Sequence, residues 1–321
     1  MGVVLCILDG FTDPEFDPAD YPALSGLRRL GDVDTALGEK PESLNCILHL
    51  LGIRNVPPLL RGYAEALGDD IPVGENDLIL RGSWFSRDET GRCVAPMAAP
   101  AEIPAGLPCR YVSLGGYKSL LIFPGLGAAA RDLTTYPPYA LAGRLAEDLC
   151  PRGCPEVEAV FRALCSPRCC CIPWGQSRPA ALPPFPERGC VISGTSVVRG
   201  IGKLLGMDVW TVPGATGDTD TDLNAKCLAA LDAAGKYPFV LLHINGADEA
   251  SHRKDAMEKR AFLSRVDAEI VRPLATNLPF FIVTGDHAAD PRTGTHESTP
   301  QPVFVNGFSG KFPDFLPFFP R

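Results

Sequence analysis

The chain has no run approaching the ~20 apolar residues that a membrane span needs, no long block of like charge and no internal repeat. It is not expected to cross a bilayer. Basic residues are in the minority, with 30 Lys and Arg against 38 Asp and Glu and a net charge of −8. That balance argues against a nucleic-acid surface, which needs a basic field. An acidic chain can still take a small anionic substrate where metal ions reverse the local field. Histidines number only five, so any clustering among them is informative. The first apolar run, Val3 to Leu8, is too short and lacks the basic leader of a signal peptide. A reduced, cytoplasmic setting is expected, with most thiols free.

Cysteine is abundant instead, at 12. Cys150, Cys154, Cys165, Cys169, Cys170 and Cys171 fall close together, yet their spacings do not fit the paired two-residue gaps of common zinc modules. They are expected to be packing residues, with an additional metal or redox site as the alternative.

With 321 residues, 45% of them apolar, the chain can bury a sizeable core in one large domain or two. Val3 to Leu8 reads as a strand closed by Asp9-Gly10, and Ala23 to Leu30 as a short helix. A helix is expected after Ser43, with a glycine stop at Gly52. At its start Ser43 reads either as an N-cap or as a nucleophile beside a helix end able to hold phosphate. From about Pro72 the texture changes. Asp77 to Phe85 reads as a strand, and Cys109 to Ser113 forms a hairpin with Lys118 to Phe123 through Gly115-Gly116. Pro137 to Cys150 and Pro155 to Cys165 read as helices, followed by a Cys- and Pro-rich connector to about Pro186. Arg81, Arg87, Arg92, Arg110 and Lys118 give this third of the chain cationic groups suited to clamping an anion.

Regular alternation follows: strands at Cys190, Asp208, Phe239 and Pro279, separated by helices over Thr195 to Leu205, Thr221 to Ala234 and Lys254 to about Leu274. Phe262, Val266 and Ile270 mark the core face of the last helix. A final strand spans Pro302 to Val305. Such alternation predicts an α/β fold, a mostly parallel sheet between helices. The expected division is a discontinuous core of residues 1–72 and 173–321, with an inserted smaller α+β lid over 73–172.

Four of the five histidines, His243, His252, His287 and His296, lie between Leu241 and His296. In this window two buried runs empty into Asp248-x-x-x-His252 and Asp286-His287. Ligands bind at the carboxyl ends of strands in open α/β sheets. Asp and His together suit zinc or manganese.

Several stretches carry a family likeness: Ile7-Leu8-Asp9-Gly10, Ser43 to Gly52, Pro173-Trp174-Gly175-Gln176, Gly200 to Met207, Pro213 to Gly217, Asp248 to His252 and Thr284 to His287. Together they resemble the archaeal-type cofactor-independent (2,3-bisphosphoglycerate-independent) phosphoglycerate mutases of the alkaline phosphatase superfamily. The resemblance implies an alkaline-phosphatase-like sheet with an inserted lid. It implies two divalent metal ions (Mn2+, Zn2+ or Mg2+) and no 2,3-bisphosphoglycerate. Asp248, His252 and His296 would hold one ion; Asp9, Ser43, Asp286 and His287 would hold the other. Ser43 becomes the nucleophile that takes the phosphoryl group of 3-phosphoglycerate, and glycerate turns before receiving it at its 2-hydroxyl. Arg178, with Arg110 and Lys118, is the expected substrate contact. His243 and His49 have no place in this scheme and read as core or supporting residues.

The departures concern substrate handling. Glu42-Ser43-Leu44 replaces the family's Gly-Ser-Asp, Pro137-Pro138-Tyr139-Ala140 lacks the histidine of a Pro-Pro-His-Asp motif, and the chain is shorter than expected for the family. The expected activity is therefore a phosphomutase acting on a small phosphorylated substrate. A phosphoester hydrolase of the same superfamily and a non-catalytic metal-binding relative are the alternatives. No nucleic-acid or membrane partner is expected, and the oligomeric state is not legible.

Overall fold

The computed structural model describes residues 1–138, 141 and 143–307. By compactness the chain divides into one unit of Met1–Val56 with Leu182–Arg321 and a second of Pro57–Ala181. In chain order the strands are β1 (Val3–Leu8), β2 (Arg28–Val33), β3 (Leu78–Arg87), β4 (Cys93–Pro96), β5 (Arg110–Gly115), β6 (Lys118–Phe123) and β7 (Cys169–Ser177). They continue as β8 (Gly189–Ile192), β9 (Asp208–Trp210), β10 (Phe239–Ile244), β11 (Phe281–Gly285), β12 (Ala288–Asp290), β13 (Thr295–Glu297) and β14 (Gln301–Asn306). The α-helices are α1 (Pro22–Ser25), α2 (Ser43–Leu50), α3 (Arg61–Gly68), α4 (Pro155–Ala163), α5 (Ser196–Leu204), α6 (Leu223–Ala234), α7 (Gly246–His252), α8 (Ala256–Val266) and α9 (Arg272–Asn277).

The first unit is built on a seven-stranded sheet of order β2-β14-β11-β1-β10-β8-β9. β1 pairs in parallel with β10 and β11, and β8 in parallel with β10 and β9. Only β14 is reversed, pairing antiparallel with β11 on one side and with the edge strand β2 on the other. Every residue of β1 and β10 is buried, as expected for strands covered on both faces. Val4, Cys6 and Leu8 share a core with Leu242, Ile244 and Val283, closed by Phe262, Val266, Ile270 and Leu274. The expected long helix is α8 and α9 joined through a π-helical turn at Asp267–Val271.

Register decides the site. Leu8 pairs with Ile244 on one side and with Gly285 on the other. The next residues, Asp9, Asn245 and Asp286, therefore leave the sheet together at its carboxyl edge.

The second unit is an antiparallel sheet of order β4-β3-β6-β5, with β7 also pairing β3. The β5–β6 hairpin turns through Gly115 and Gly116, both with positive φ, 88° and 55°. β7 occupies part of the stretch whose Cys- and Pro-rich composition predicts a connector. Its pairing with β3 is long-range, and Cys170 and Cys171 alternate between two apolar clusters as strand residues do.

Two further expectations are corrected. The helix over Ala23 to Leu30 stops at Ser25, and Arg28 and Arg29 instead pair with Val305 and Phe304 of β14, so sheet-edge pairing overrides local propensity. Of the helix over Pro137 to Cys150, Ala146–Leu149 forms a 3₁₀ turn, and Gly143, at φ 82°, is outside helical geometry. Tyr139 and Ala140 lie outside the described residues. All twelve cysteines are free thiols. No helix among the described residues is long and apolar enough to cross a membrane.

Candidate metal centre

Asp9 follows β1 directly and is 1% exposed. Gly10 makes the turn possible. Its φ is +63°, and a Cβ there would stand 2.8 Å from the Asp248 Cα. Its N–H donates to Asp286 Oδ1 at 3.2 Å, and the His287 N–H donates to the same oxygen at 2.9 Å. Asp248 and His252 sit one turn apart on α7, with His252 Nε2 3.2 Å from Asp248 Oδ2. His296, on β13, brings its Nε2 to 3.2 Å from Asp248 Oδ1.

Three sets of ligand atoms each lie within 4.8 Å of one another: Asp248, His252 and His296; Asp9, Asp248 and His287; Asp9, His243 and Asp286. The structure thus brings Asp9, Asp248, Asp286, His252, His287 and His296 together. Asp248 belongs to two of the sets.

Ser43 opens α2, but the cap position is Glu42 and no side chain caps the helix. The Ser43 hydroxyl instead lies 3.5 Å from Asp9 Oδ1 and 3.4 Å from His287 Nε2. The geometry therefore separates the two readings of this serine: it is not the N-cap.

The tautomers follow from the partners. His252 Nδ1 faces the Gly294 carbonyl at 3.0 Å and His296 Nδ1 faces the Pro41 carbonyl at 2.7 Å. A carbonyl only accepts, so each Nδ1 donates and each neutral ring presents its Nε2 lone pair inward. Those two Nε2 atoms are 3.1 Å apart, with Asp248 Oδ1 beside them and lacking any hydrogen-bond donor. Asp286 Oδ2 is likewise buried without a donor. Converging lone pairs and buried carboxylates of this kind are relieved by a bound cation or by protons, and the donor set is one that zinc or manganese accepts.

Without a metal ion, protons take up part of the same charge, and a metal would displace them. Burial, then the Asp9 charge, pushes the Asp286 carboxyl well above its ordinary range. Burial and the Asp248 charge push Asp9 the same way, but hydrogen bonds from His243 and His287 hold it below the usual carboxylate range. Burial opposes charge on His252, yet the Asp248 carboxylate brings it up to about 9. His287 is raised to about 10 against its burial by Asp286 and Asp9.

His243 is the residue that sequence reasoning left outside. Its Nε2 donates to Asp9 Oδ2 at 3.1 Å, and its Nδ1 lies 3.2 Å from Ser193 Oγ. The signal was its place on β10, whose Cα register pairs it with Ile7, two residues before Asp9. His49 bonds the Thr35 carbonyl at 2.7 Å and stays a core residue. Arg110, Lys118 and Arg178 lie in the Pro57–Ala181 unit: Arg110 bonds the Pro72 carbonyl, Lys118 sits 5.2 Å from the centre of the Tyr117 ring, and Arg178 is exposed after β7.

Fold and ligand set define the class: an α/β protein with a mostly parallel sheet, an inserted antiparallel unit and a metal-type centre at the carboxyl edge. Residues 185–312 match the Metalloenzyme superfamily. The chain is similar along most of its length to archaeal 2,3-bisphosphoglycerate-independent phosphoglycerate mutases. That of Methanopyrus kandleri is 27% identical, over 94% of this chain and 87% of the relative, and one from Archaeoglobus fulgidus is 28% identical, over 95% and 88%. That of Methanoculleus marisnigri reaches 38% identity, but over only 41% of this chain and 33% of the relative. A solved structure of a Pyrococcus horikoshii protein shares the fold, with a TM-score of 0.68 at 21% identity over 95% of this chain and 87% of that one.

Proposed function

We propose that this protein is a metal-dependent phosphomutase interconverting 3-phosphoglycerate and 2-phosphoglycerate through a phosphoserine at Ser43. The observation that carries the reading is the direction of the Ser43 hydroxyl, which meets Asp9 and His287 instead of capping α2. The substrate is taken from the names of relatives aligned along nearly the whole chain. Asp248, His252 and His296 hold one divalent ion in this reading; Asp9, Ser43, Asp286 and His287 hold the other. Manganese, zinc and magnesium are the candidates, and bound ions supply Lewis acidity toward the Ser43 oxygen and the phosphoryl oxygens.

The chain's own residues do the rest. Ser43 Oγ forms a bond to phosphorus as the bond to the substrate 3-oxygen breaks. The glycerate 2-hydroxyl then takes the same phosphoryl group from Ser43. No 2,3-bisphosphoglycerate is needed, because the group that leaves is the group returned. His243 fixes the second carboxylate oxygen of Asp9, keeping the first turned toward Ser43. Arg110, Lys118 and Arg178 remain candidate contacts for substrate anions, each testable by a rise in KM. A cytoplasmic, glycolytic setting completes the reading.

The test follows 3-phosphoglycerate with manganese by phosphorus NMR. Conversion to 2-phosphoglycerate without free phosphate is expected. Phosphate release without the isomer would replace the mutase with a phosphoester hydrolase, and metal binding without turnover would leave a non-catalytic relative.

A further inference from the structure

Helix α8 packs Phe262, Leu263 and Val266 into the core, and one turn earlier on the same face stands Lys259. Its residue exposure is 0%, although lysine is among the side chains least often fully buried. An ammonium is tolerated there only with its donors engaged. Lys259 Nζ reaches the Ala289 carbonyl at 2.7 Å, the Thr12 carbonyl at 3.2 Å and Asp13 Oδ2 at 3.2 Å, one acceptor for each N–H.

Those acceptors are placed on the ligand-bearing loops. Thr12 lies three residues after Asp9, and Ala289 three after Asp286 and two after His287. The loops are also joined by the Ala289 N–H, which donates to the Thr12 carbonyl at 2.9 Å. Ser251, on α7 between Asp248 and His252, gives its hydroxyl to the Ala247 carbonyl at 2.8 Å and sits 3.3 Å from the same Ala289 carbonyl. All three segments that carry candidate ligands from β1, α7 and β11 thus meet at one point, with the ammonium seated on it.

We propose that Lys259 is a positioning residue for the metal centre, pinning the Asp9 and Asp286-His287 loops at the spacing at which they bind divalent ions. The inference rests on the metal-centre reading above. A lysine so close to a cation site also repels the cation, so its removal has two opposed effects. The positioning role requires that loss of the tie outweigh relief of the repulsion.

Lys259→Met separates them. It removes the ammonium while filling much of its volume; the Thr12 carbonyl keeps the Ala289 N–H, and the Ala289 carbonyl has the Ser251 hydroxyl at 3.3 Å, which can turn to it from Ala247. Titration calorimetry with manganese alone is expected to show binding weakened by ~10-fold or more, while the thermal midpoint in EDTA shows a folded protein. Equal or tighter manganese binding by the variant overturns the proposal and leaves Lys259 a structural residue. If wild type binds no manganese, the metal-centre reading falls and the proposal with it, a result distinct from the first. Should Lys259→Met fail to fold, Asp13→Asn loosens the same ammonium more gently. A weaker loss of manganese affinity is then expected, and an unchanged affinity overturns the proposal.

Discussion

The two sides of the centre are held in different ways. On the deep side Asp9, Asp286 and His287 are 1%, 0% and 0% exposed, and they follow paired strands whose register leaves them little freedom. At the rim the His252 side chain is 25% exposed, and the His252 and His296 rings are steered by the Gly294 and Pro41 carbonyls. The deep side is therefore an extension of the sheet, and the rim is an assembly of helix and loops. Asp248 joins the two. A change to the deep side should alter chemistry and folding together, whereas a change at the rim should alter metal affinity with little effect on the fold.

The largest expected effect tests whether the deep side is the reacting one. Ser43→Ala should lower phosphoryl turnover by ~10³-fold or more with manganese still bound, as read by phosphorus NMR and calorimetry. Substantial residual turnover would break the assignment. Next comes a pair of ligand variants. Asp286→Asn and His252→Ala should each weaken manganese binding by ~10-fold or more, but with opposite effects on the metal-free protein. Asp286→Asn keeps an oxygen for the Gly10 and His287 N–H groups while removing the cost of holding a buried carboxyl beside the Asp9 charge, so its thermal midpoint in EDTA should rise. His252→Ala removes a partner of Asp248, so its midpoint should fall slightly. Equal shifts in both would erase the distinction between the sides.

Metal itself gives the third comparison. At a hundredfold excess over Kd, manganese should stabilise wild type by about 2.7 kcal/mol relative to EDTA, measured by calorimetric unfolding. The smallest effect is expected from Gly10→Ala, which places a Cβ 2.8 Å from the Asp248 Cα at a φ of +63°. It should destabilise by ~1–2 kcal/mol and move α7, so that rim affinity suffers more than deep affinity.

Much of this was legible because it is local. The buried runs at Val3 and Phe239, the Asp248-to-His252 spacing on one helix face, the Gly115-Gly116 turn and the strand–helix alternation are short-range patterns that the chain writes openly. Two of the misreadings share one cause. Arg28 to Val33 and Cys169 to Ser177 become strands through distant partners, β14 and β3, which no local window contains.

The centre divides along the same line. By itself the sequence determined which side chains can bind metal and that they follow strand ends. Only the tertiary structure decided that Ser43 faces Asp9 and His287, that His243 braces Asp9, that Asp248 links both sides and that Lys259 lies beneath the loops. The physical reason is that pairing register and ring orientation are set by contacts between residues more than thirty, and often more than two hundred, positions apart.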